Sequence, residues 1–139
     1  MLLIVEDNET LLLYMRTLTA RLGWQAITAK SGEQALQQYE KHENEIDIVF
    51  MDWNLSGGVD GLACAAQIHQ FNPSLPIVGI TAHATEEHRQ RCLASGMSDF
   101  LSKPFTCSEM EKMIVRWQSW GQRQIEASSK MLVAAEPQY

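Results

Sequence analysis

The chain has 139 residues, of which 45% are hydrophobic and 20% are charged, as expected for one compact globular domain. Its net charge of −6 offers no basic surface for direct contact with nucleic acid or with an anionic membrane. No apolar run reaches the length of a membrane span, about 18 residues. Because the charge disfavours nucleic acid, we expect the partner to be a protein.

Five apolar runs along the chain predict five β-strands. The runs are Leu2–Val5, Trp24–Thr28, Ile46–Met51, Pro76–Ile80 and Phe100–Leu101. Three of them are almost unbroken apolar stretches, which is typical of strands that are buried on both faces of a parallel sheet.

A helical pattern with recognisable ends follows each of these runs. Gly23 is a stop signal for the first helix, and Ser31 opens the second with a capping-box sequence. Asn72 and the proline after it close the third helix. Thr85 can cap the fourth, and Thr106 opens the fifth with a second capping box.

Strands and helices therefore alternate as (βα)5. Short connections and right-handed crossovers predict a doubly wound, parallel, five-stranded α/β sheet with helices on both faces. The helical pattern weakens after about Gly121. We therefore predict one domain over residues 1–122 and a mobile C-terminal tail or linker over residues 123–139.

Polar side chains follow four of the predicted strands. Glu6 and Asp7 come after the first strand, Asp52 after the third, Thr81 after the fourth and Lys103 after the fifth. Ligands of such sheets bind outside the carboxyl ends of the strands. We therefore expect three carboxylates, a hydroxyl and an ammonium group to converge there.

Three carboxylates in one place repel one another, so they require raised pKa values or a cation. Oxygen ligands without histidine or cysteine suit a hard ion such as Mg²⁺. An aspartate held beside Mg²⁺ can act as a nucleophile toward phosphorus and form an aspartyl phosphate. Lys103 would offset charge on the transferring oxygens, and Thr81 would donate a hydrogen bond to one of them.

Four segments resemble the signatures of the response-regulator receiver family, and they occur in that family's order. They are Val5-Glu6-Asp7-Asn8, Met51-Asp52-Trp53-Asn54, Ile80-Thr81-Ala82 and Ser102-Lys103-Pro104-Phe105. Each motif is weak alone, but four in register are specific, and the resemblance covers residues 2–120. The stretch 81–97 is most similar to receiver domains of hybrid histidine kinases.

The resemblance implies a receiver domain over residues 1–122 with the flavodoxin-like strand order 2-1-3-4-5. It implies that Asp52 is the phosphoacceptor and that Asp7 binds Mg²⁺ directly. Glu6 would act through water or as a second acidic ligand. Asn54 would supply its backbone carbonyl to the metal, and Lys103 would contact the phosphoryl group.

The resemblance further implies that Thr81 and Phe100 form a switch pair, in which the hydroxyl moves toward phosphate while the aromatic ring turns inward. Phe100 lacks a hydroxyl, so this switch would depend on ring packing alone. The output surface would be the face of the fourth helix, fifth strand and fifth helix.

The implied function is phosphorelay signalling: transfer of a phosphoryl group from a phosphohistidine, on a histidine kinase or a histidine phosphotransfer protein, to Asp52. The domain would catalyse only its own phosphorylation and dephosphorylation, although a parent chain could be a hybrid histidine kinase. We expect a cytoplasmic location, which three reduced cysteines favour. We expect no direct contact with nucleic acid or membrane, and a weak homodimer is compatible with the family.

One loop departs from the family pattern. Ser56 stands where the family usually has proline, and Asp60-Gly61 comes one residue late, which indicates a one-residue insertion made tolerable by Gly57 and Gly58. Trp53, directly after the acceptor, is expected to be partly exposed.

Two other functions are compatible with the same residues. One is a phosphatase or phosphotransferase that turns over an external substrate through an aspartyl phosphate, although Asn54 stands where such enzymes usually place a second carboxylate. The other is a receiver-like interaction module that is never phosphorylated. Taken singly, Glu6 and Asp7 could be a solvated helix-start pair, and Lys103 an exposed turn residue.

Overall fold

The computed structural model describes residues 1–55, 58–82 and 85–118. Within them, five parallel strands form one sheet in the order β2-β1-β3-β4-β5, which confirms the predicted fold. The strands are β1 (Leu2–Val5), β2 (Ala26–Ala29), β3 (Ile48–Asp52), β4 (Ile77–Thr81) and β5 (Asp99–Ser102). The predicted tail over 123–139 lies outside the described residues.

Helices follow the strands in alternation. They are α1 (Glu9–Arg21), α2 (Gly32–His42), α3 (Gly61–Phe71), α4 (Glu86–Ala94) and α5, which covers 107–118 of the described residues. In the part of the chain that the structure describes, no helix has both the length and the apolar character needed to cross a membrane.

Local hydrogen bonds explain where the helices begin. The Ser31 hydroxyl accepts from the Gln34 N–H at 3.1 Å, and the Thr106 hydroxyl accepts from the Glu109 N–H at 3.2 Å. Each satisfies an N–H group that the first helical turn leaves without a partner. After α1, Gly23 adopts φ of 81°, a left-handed conformation that glycine adopts at low cost.

The strand positions differ slightly from the prediction. Trp24 and Ile46 are apolar but lie before β2 and β3, which begin two residues later at Ala26 and Ile48. Ile46 is buried outside the sheet, packed in the core. An apolar run indicates which residues are buried, and buried residues can extend beyond those that form the hydrogen bonds of the sheet.

Two apolar layers cover the two faces of the sheet. Helices α1 and α5 pack on one face, where Met15, Met110 and Ile114 meet Phe50. Helices α2, α3 and α4 lie on the other face, with Tyr39, Ile68 and Cys92 in the same cluster as the alternate residues of β1 and β3. The central strands β1, β3 and β4 are therefore buried on both sides, and their carboxyl ends lie at one edge of a rigid layer.

Candidate functional site

The polar residues that follow the strands emerge at one edge of the sheet. Glu6 directly follows β1, Asp52 is the last residue of β3, Thr81 is the last residue of β4, and Lys103 follows β5. These strands are consecutive neighbours and run parallel, in the order β1-β3-β4-β5. The fold alone therefore brings the four positions to adjacent places.

Three carboxylates form an acidic cluster at this edge, consisting of Glu6, Asp7 and Asp52. One oxygen from each lies within 4.8 Å of the others. Glu6 and Asp52 are only 1% and 3% exposed, and Asp7 is half-buried. Burial removes water that would otherwise screen the charges, so their mutual repulsion is strong.

Lys103 places its ammonium group against the acidic cluster. Its Nζ lies 3.4 Å from Glu6 Oε2 and 3.4 Å from Asp52 Oδ1. The backbone positions this side chain, because the Lys103 N–H donates to the Thr81 carbonyl at 2.7 Å. The following Lys103–Pro104 peptide bond is cis. One ammonium group thus faces two buried carboxylates.

The electrostatics of Glu6 show that this compensation is incomplete. Burial and the neighbouring Asp52 carboxylate raise the pKa of Glu6, the Asn8 N–H and Lys103 lower it, and the net result is a pKa of about 7. Glu6 Oε2 is buried and has no hydrogen-bond partner among the described residues. Such a set of oxygen donors, with excess negative charge and an unsatisfied buried oxygen, fits a divalent hard cation such as Mg²⁺.

Asn54 and Thr81 flank Asp52 on its two sides. The Asn54 N–H donates to Asp52 Oδ1 at 3.2 Å, and the Asn54 side chain is exposed. Thr81 is 2% exposed at the end of β4 and lies next to the β3 strand that ends in Asp52. Both predicted positions therefore lie beside the acidic cluster.

Phe100 lies further from the acidic cluster, within β5. It pairs with Gly79 in the parallel ladder, is partly buried, and packs against the apolar cluster on the α2, α3 and α4 face. Its ring therefore already contacts the core, and its predicted role in a switch stays a prediction.

Helix α3 begins at a position that only glycine can occupy. A Cβ atom on Gly61 would lie 1.9 Å from the Asp52 carbonyl oxygen. Asp60 caps α3 through the Ala63 N–H at 2.7 Å, and Glu33 of α2 accepts from the Val59 N–H at 3.0 Å. Although Asp60 and Gly61 come one residue later than in the family pattern, they still form the start of α3. Ser56 and Gly57 lie outside the described residues.

Comparison with known proteins assigns the family. A family profile described as response regulator receiver domain matches residues 2–115. The chain belongs to this family. It is 39% identical over 114 residues to the sensor histidine kinase RcsC of Salmonella typhi, covering 82% of this chain and 12% of that protein. It is 31% identical over 120 residues to the sensor protein GacS of Pseudomonas syringae, covering 83% of this chain and 13% of that protein.

A solved structure also resembles this receiver domain. It is the receiver domain of a sensor histidine kinase from Pseudomonas aeruginosa, with a magnesium ion coordinated in its active-site cleft. The TM-score is 0.77 at 30% identity, over 85% of this chain and 96% of that chain. The chain is thus a receiver domain of two-component phosphorelay systems, similar to those of hybrid sensor kinases, and it spans 12% to 13% of the length of the curated relatives named above.

The receiver domain differs from the sequence prediction at Trp53, whose side chain is only 7% exposed. The prediction of partial exposure was wrong, because α4 covers the indole. The His88 ring stacks on it at 5.0 Å between centroids, and the Arg91 guanidinium carbon lies 5.7 Å from a ring centroid. His88 and Arg91 were not predicted. The only sequence signal was Gly79 inside an apolar run, which indicates close approach of another group.

Proposed function

We propose that this receiver domain accepts a phosphoryl group from a phosphohistidine onto Asp52 in the presence of Mg²⁺. The observation that carries the proposal is the acidic cluster of Glu6, Asp7 and Asp52 with the Lys103 ammonium 3.4 Å from two of its members. The family assignment and the magnesium ion in the Pseudomonas aeruginosa relative support it.

In this proposal Glu6, Asp7, Asp52 and the Asn54 backbone carbonyl hold the metal. When bound, Mg²⁺ would supply positive charge that offsets the charge on the phosphoryl oxygens. A nearby cation also favours the ionised form of Glu6, whose pKa burial raises to about 7 in the free protein.

The chemical step forms one bond and breaks one. An Asp52 carboxylate oxygen forms the new O–P bond, the N–P bond of the donor phosphohistidine breaks, and its electron pair returns to the imidazole. Lys103 offsets charge on the transferring group, and the Thr81 hydroxyl donates to one of its oxygens. The domain by itself would catalyse only this step and the later hydrolysis of its aspartyl phosphate.

A histidine kinase or a histidine phosphotransfer protein is the phosphodonor that we propose. Receiver domains of phosphorelay systems interact with such proteins, and the curated relatives include sensor histidine kinases. Beside the acidic cluster, α1 presents Tyr14, which is 40% exposed and lines one hollow with Asn8 and Lys103. Tyr14 also donates to the Phe105 carbonyl at 3.0 Å, so this apolar surface is continuous with the loop that bears Lys103.

The output surface that we propose is the face of α4, β5 and α5, controlled by Thr81 and Phe100. The Arg116–Asp99 ion pair at 2.7 Å joins α5 to β5 on this face. A protein partner, or a second copy in a weak homodimer, would bind there, in the cytoplasm and without direct contact to nucleic acid or membrane. If Thr81 is part of the switch, Thr81→Ala keeps the phosphate on Asp52 but abolishes phosphorylation-dependent partner binding.

The phosphoacceptor assignment is tested by mass spectrometry of the intact chain. We expect incubation with Mg²⁺ and acetyl phosphate to add one phosphoryl group, and we expect EDTA to prevent the addition. Asp52→Asn should abolish the adduct, whereas Asp47→Asn, a matched substitution beside the amino terminus, should retain it. An adduct that survives Asp52→Asn, or one that forms equally well in EDTA, would contradict the proposal.

A further inference from the structure

Helix α4 is attached to the sheet by fewer buried side chains than the other helices of defined extent. Helices α1 and α3 each bury four residues and α2 buries three, whereas α4 buries only Cys92. Helices with few buried contacts open and shift more easily. Each remaining contact between α4 and the sheet therefore has a large influence on the position of the helix.

The Trp53 indole supplies the main additional contact to α4. It stacks on His88 with an interplanar angle of 27°, and the Arg91 guanidinium lies near the indole within the range of a cation–π interaction. On the sheet side, a Cβ on Gly79 would lie 2.9 Å from Trp53 Nε1. The ring therefore fills the space between β4 and α4, and it can be displaced only away from β4, toward His88.

The His88 ring is in turn joined to the start of α4. Thr85, which caps this helix, accepts from the His88 N–H at 3.2 Å, and its hydroxyl lies 2.6 Å from His88 Nδ1. These contacts couple the orientation of the ring to the first turn of the helix. A displacement of the indole is thereby passed to the amino-terminal half of α4.

Trp53 is also linked, through the backbone turn that follows β3, to the Asp52 carboxylate. Asp52 Oδ1 accepts from the Asn54 N–H at 3.2 Å, which closes a short turn with Trp53 at its centre. The same oxygen faces Lys103 Nζ. Trp53 Nε1 is buried and faces the Cys92 thiol of α4, whose pKa is raised by burial and lowered by the indole, so this contact and the ring contacts together determine the position of the indole.

We infer that Trp53 is a positioning residue that transmits the state of Asp52 to α4. This inference depends on the proposed function. When the Asp52 carboxylate bonds to phosphorus, the acceptor that closes the turn changes its charge and its neighbours, and the turn rearranges. The indole then moves against His88 and loosens α4.

Hydrogen exchange of the full chain tests the inference. We expect the amides of residues 86–94 to exchange faster after phosphorylation by acetyl phosphate and Mg²⁺, with the adduct measured in parallel by intact mass. In the double variant His88→Ala with Arg91→Ala, these amides should exchange fast already, and phosphorylation should cause little further change. Arg89→Ala, a matched change at an exposed arginine on the same helix, should retain the wild-type response.

A conservative variant distinguishes the effect of the ring contact from a general loss of stability. His88→Phe keeps an aromatic ring that can stack on Trp53, so it should restore the response that His88→Ala reduces. Slower exchange in the phosphorylated wild type, or an unchanged response in a fully phosphorylated double variant, would overturn the inference while leaving the proposed function intact. Absence of any adduct in the wild type would instead contradict the proposed function.

Discussion

Helices α1 and α4 both lie beside the acidic cluster, but they are attached to the sheet in different ways. Helix α1 buries four residues on the face of the sheet that it covers together with α5. They are Leu12, Met15, Leu18 and Thr19. Helix α4 buries only Cys92, whose Sγ lies 3.6 Å from the Asp99 carbonyl of β5, and its His88 and Arg91 contact Trp53. The side of the site that borders α1 is thus held by close packing, whereas the α4 side depends on a few contacts.

Under the proposed function, this difference separates two requirements of the domain. The residues that bind and react need fixed positions, since charge stabilisation depends on short, constant distances. A surface that reports the reaction needs two arrangements of similar free energy. Close packing on the α1 side and sparse packing on the α4 side allow one small domain to meet both requirements.

The largest difference is expected between truncation of a buried side chain on α1 and truncation of a partly exposed side chain on α4. Met15→Ala on α1 removes a fully buried side chain and should lower the free energy of unfolding by about 2–5 kcal/mol. Leu93→Ala on α4 removes a side chain that is 51% exposed and should change it by less than about 0.5 kcal/mol. Urea unfolding measures both, and similar losses for the two variants would contradict the comparison.

A second prediction concerns pH and the acidic cluster. The pKa of Glu6 is raised from 4.5 to about 7, so the native state binds a proton more tightly than the unfolded state. The metal-free protein should therefore lose stability as the pH rises from about 5 to 7, by on the order of 3 kcal/mol at most. Below this window Glu6 is protonated in both states, so its contribution to stability is fully present and no longer changes with pH.

Urea unfolding in EDTA at several pH values measures this slope. Glu6→Gln should remove the Glu6 contribution, and saturating Mg²⁺ should reduce it by favouring the ionised carboxylate. Glu45→Gln, at an exposed glutamate elsewhere, is the matched control and should retain the slope. If the wild type and Glu6→Gln show the same pH dependence, the assigned pKa shift is wrong.

A smaller effect is expected where α4 meets β4. In Gly79→Ala the new methyl group would lie 2.7 Å from Met97 Sδ, 2.9 Å from Trp53 Nε1 and 3.1 Å from Cys92 Sγ. We expect a loss of about 1–3 kcal/mol from overpacking. Adding Trp53→Phe removes one of the three obstacles, so the double variant should lose less than the sum of the two single losses. Additive losses would show that Trp53 does not limit the space at Gly79.

Much of the fold could be predicted because its signals are local. Unbroken apolar runs indicated the buried strands, and the caps at Ser31, Thr85 and Thr106 correctly placed the starts of three helices. Strand ends were less accurate, as Trp24 and Ile46 show, since hydrophobicity reports burial but not membership of the ladder.

The candidate site was predictable for a related reason. Parallel topology brings the carboxyl ends of β1, β3, β4 and β5 together, so residues 6, 7, 52, 81 and 103 could be placed at one edge before any distance was known. The distances, the burial of Glu6 and its raised pKa depend on how the strand ends and loops pack. The roles assigned to these residues, and those assigned to Asn54 and Phe100, stay predictions.

The sequence by itself determined the order of elements, the family signatures and the identity of the groups at the sheet edge, because these follow from local patterns and from topology. Only the tertiary structure decided that Trp53 is buried, that α4 contacts it through His88 and Arg91, and that Gly79 makes the necessary space. These four positions belong to three separate segments of the chain. Their contacts depend on the relative placement of β3, β4 and α4, which no pattern of neighbouring residues specifies.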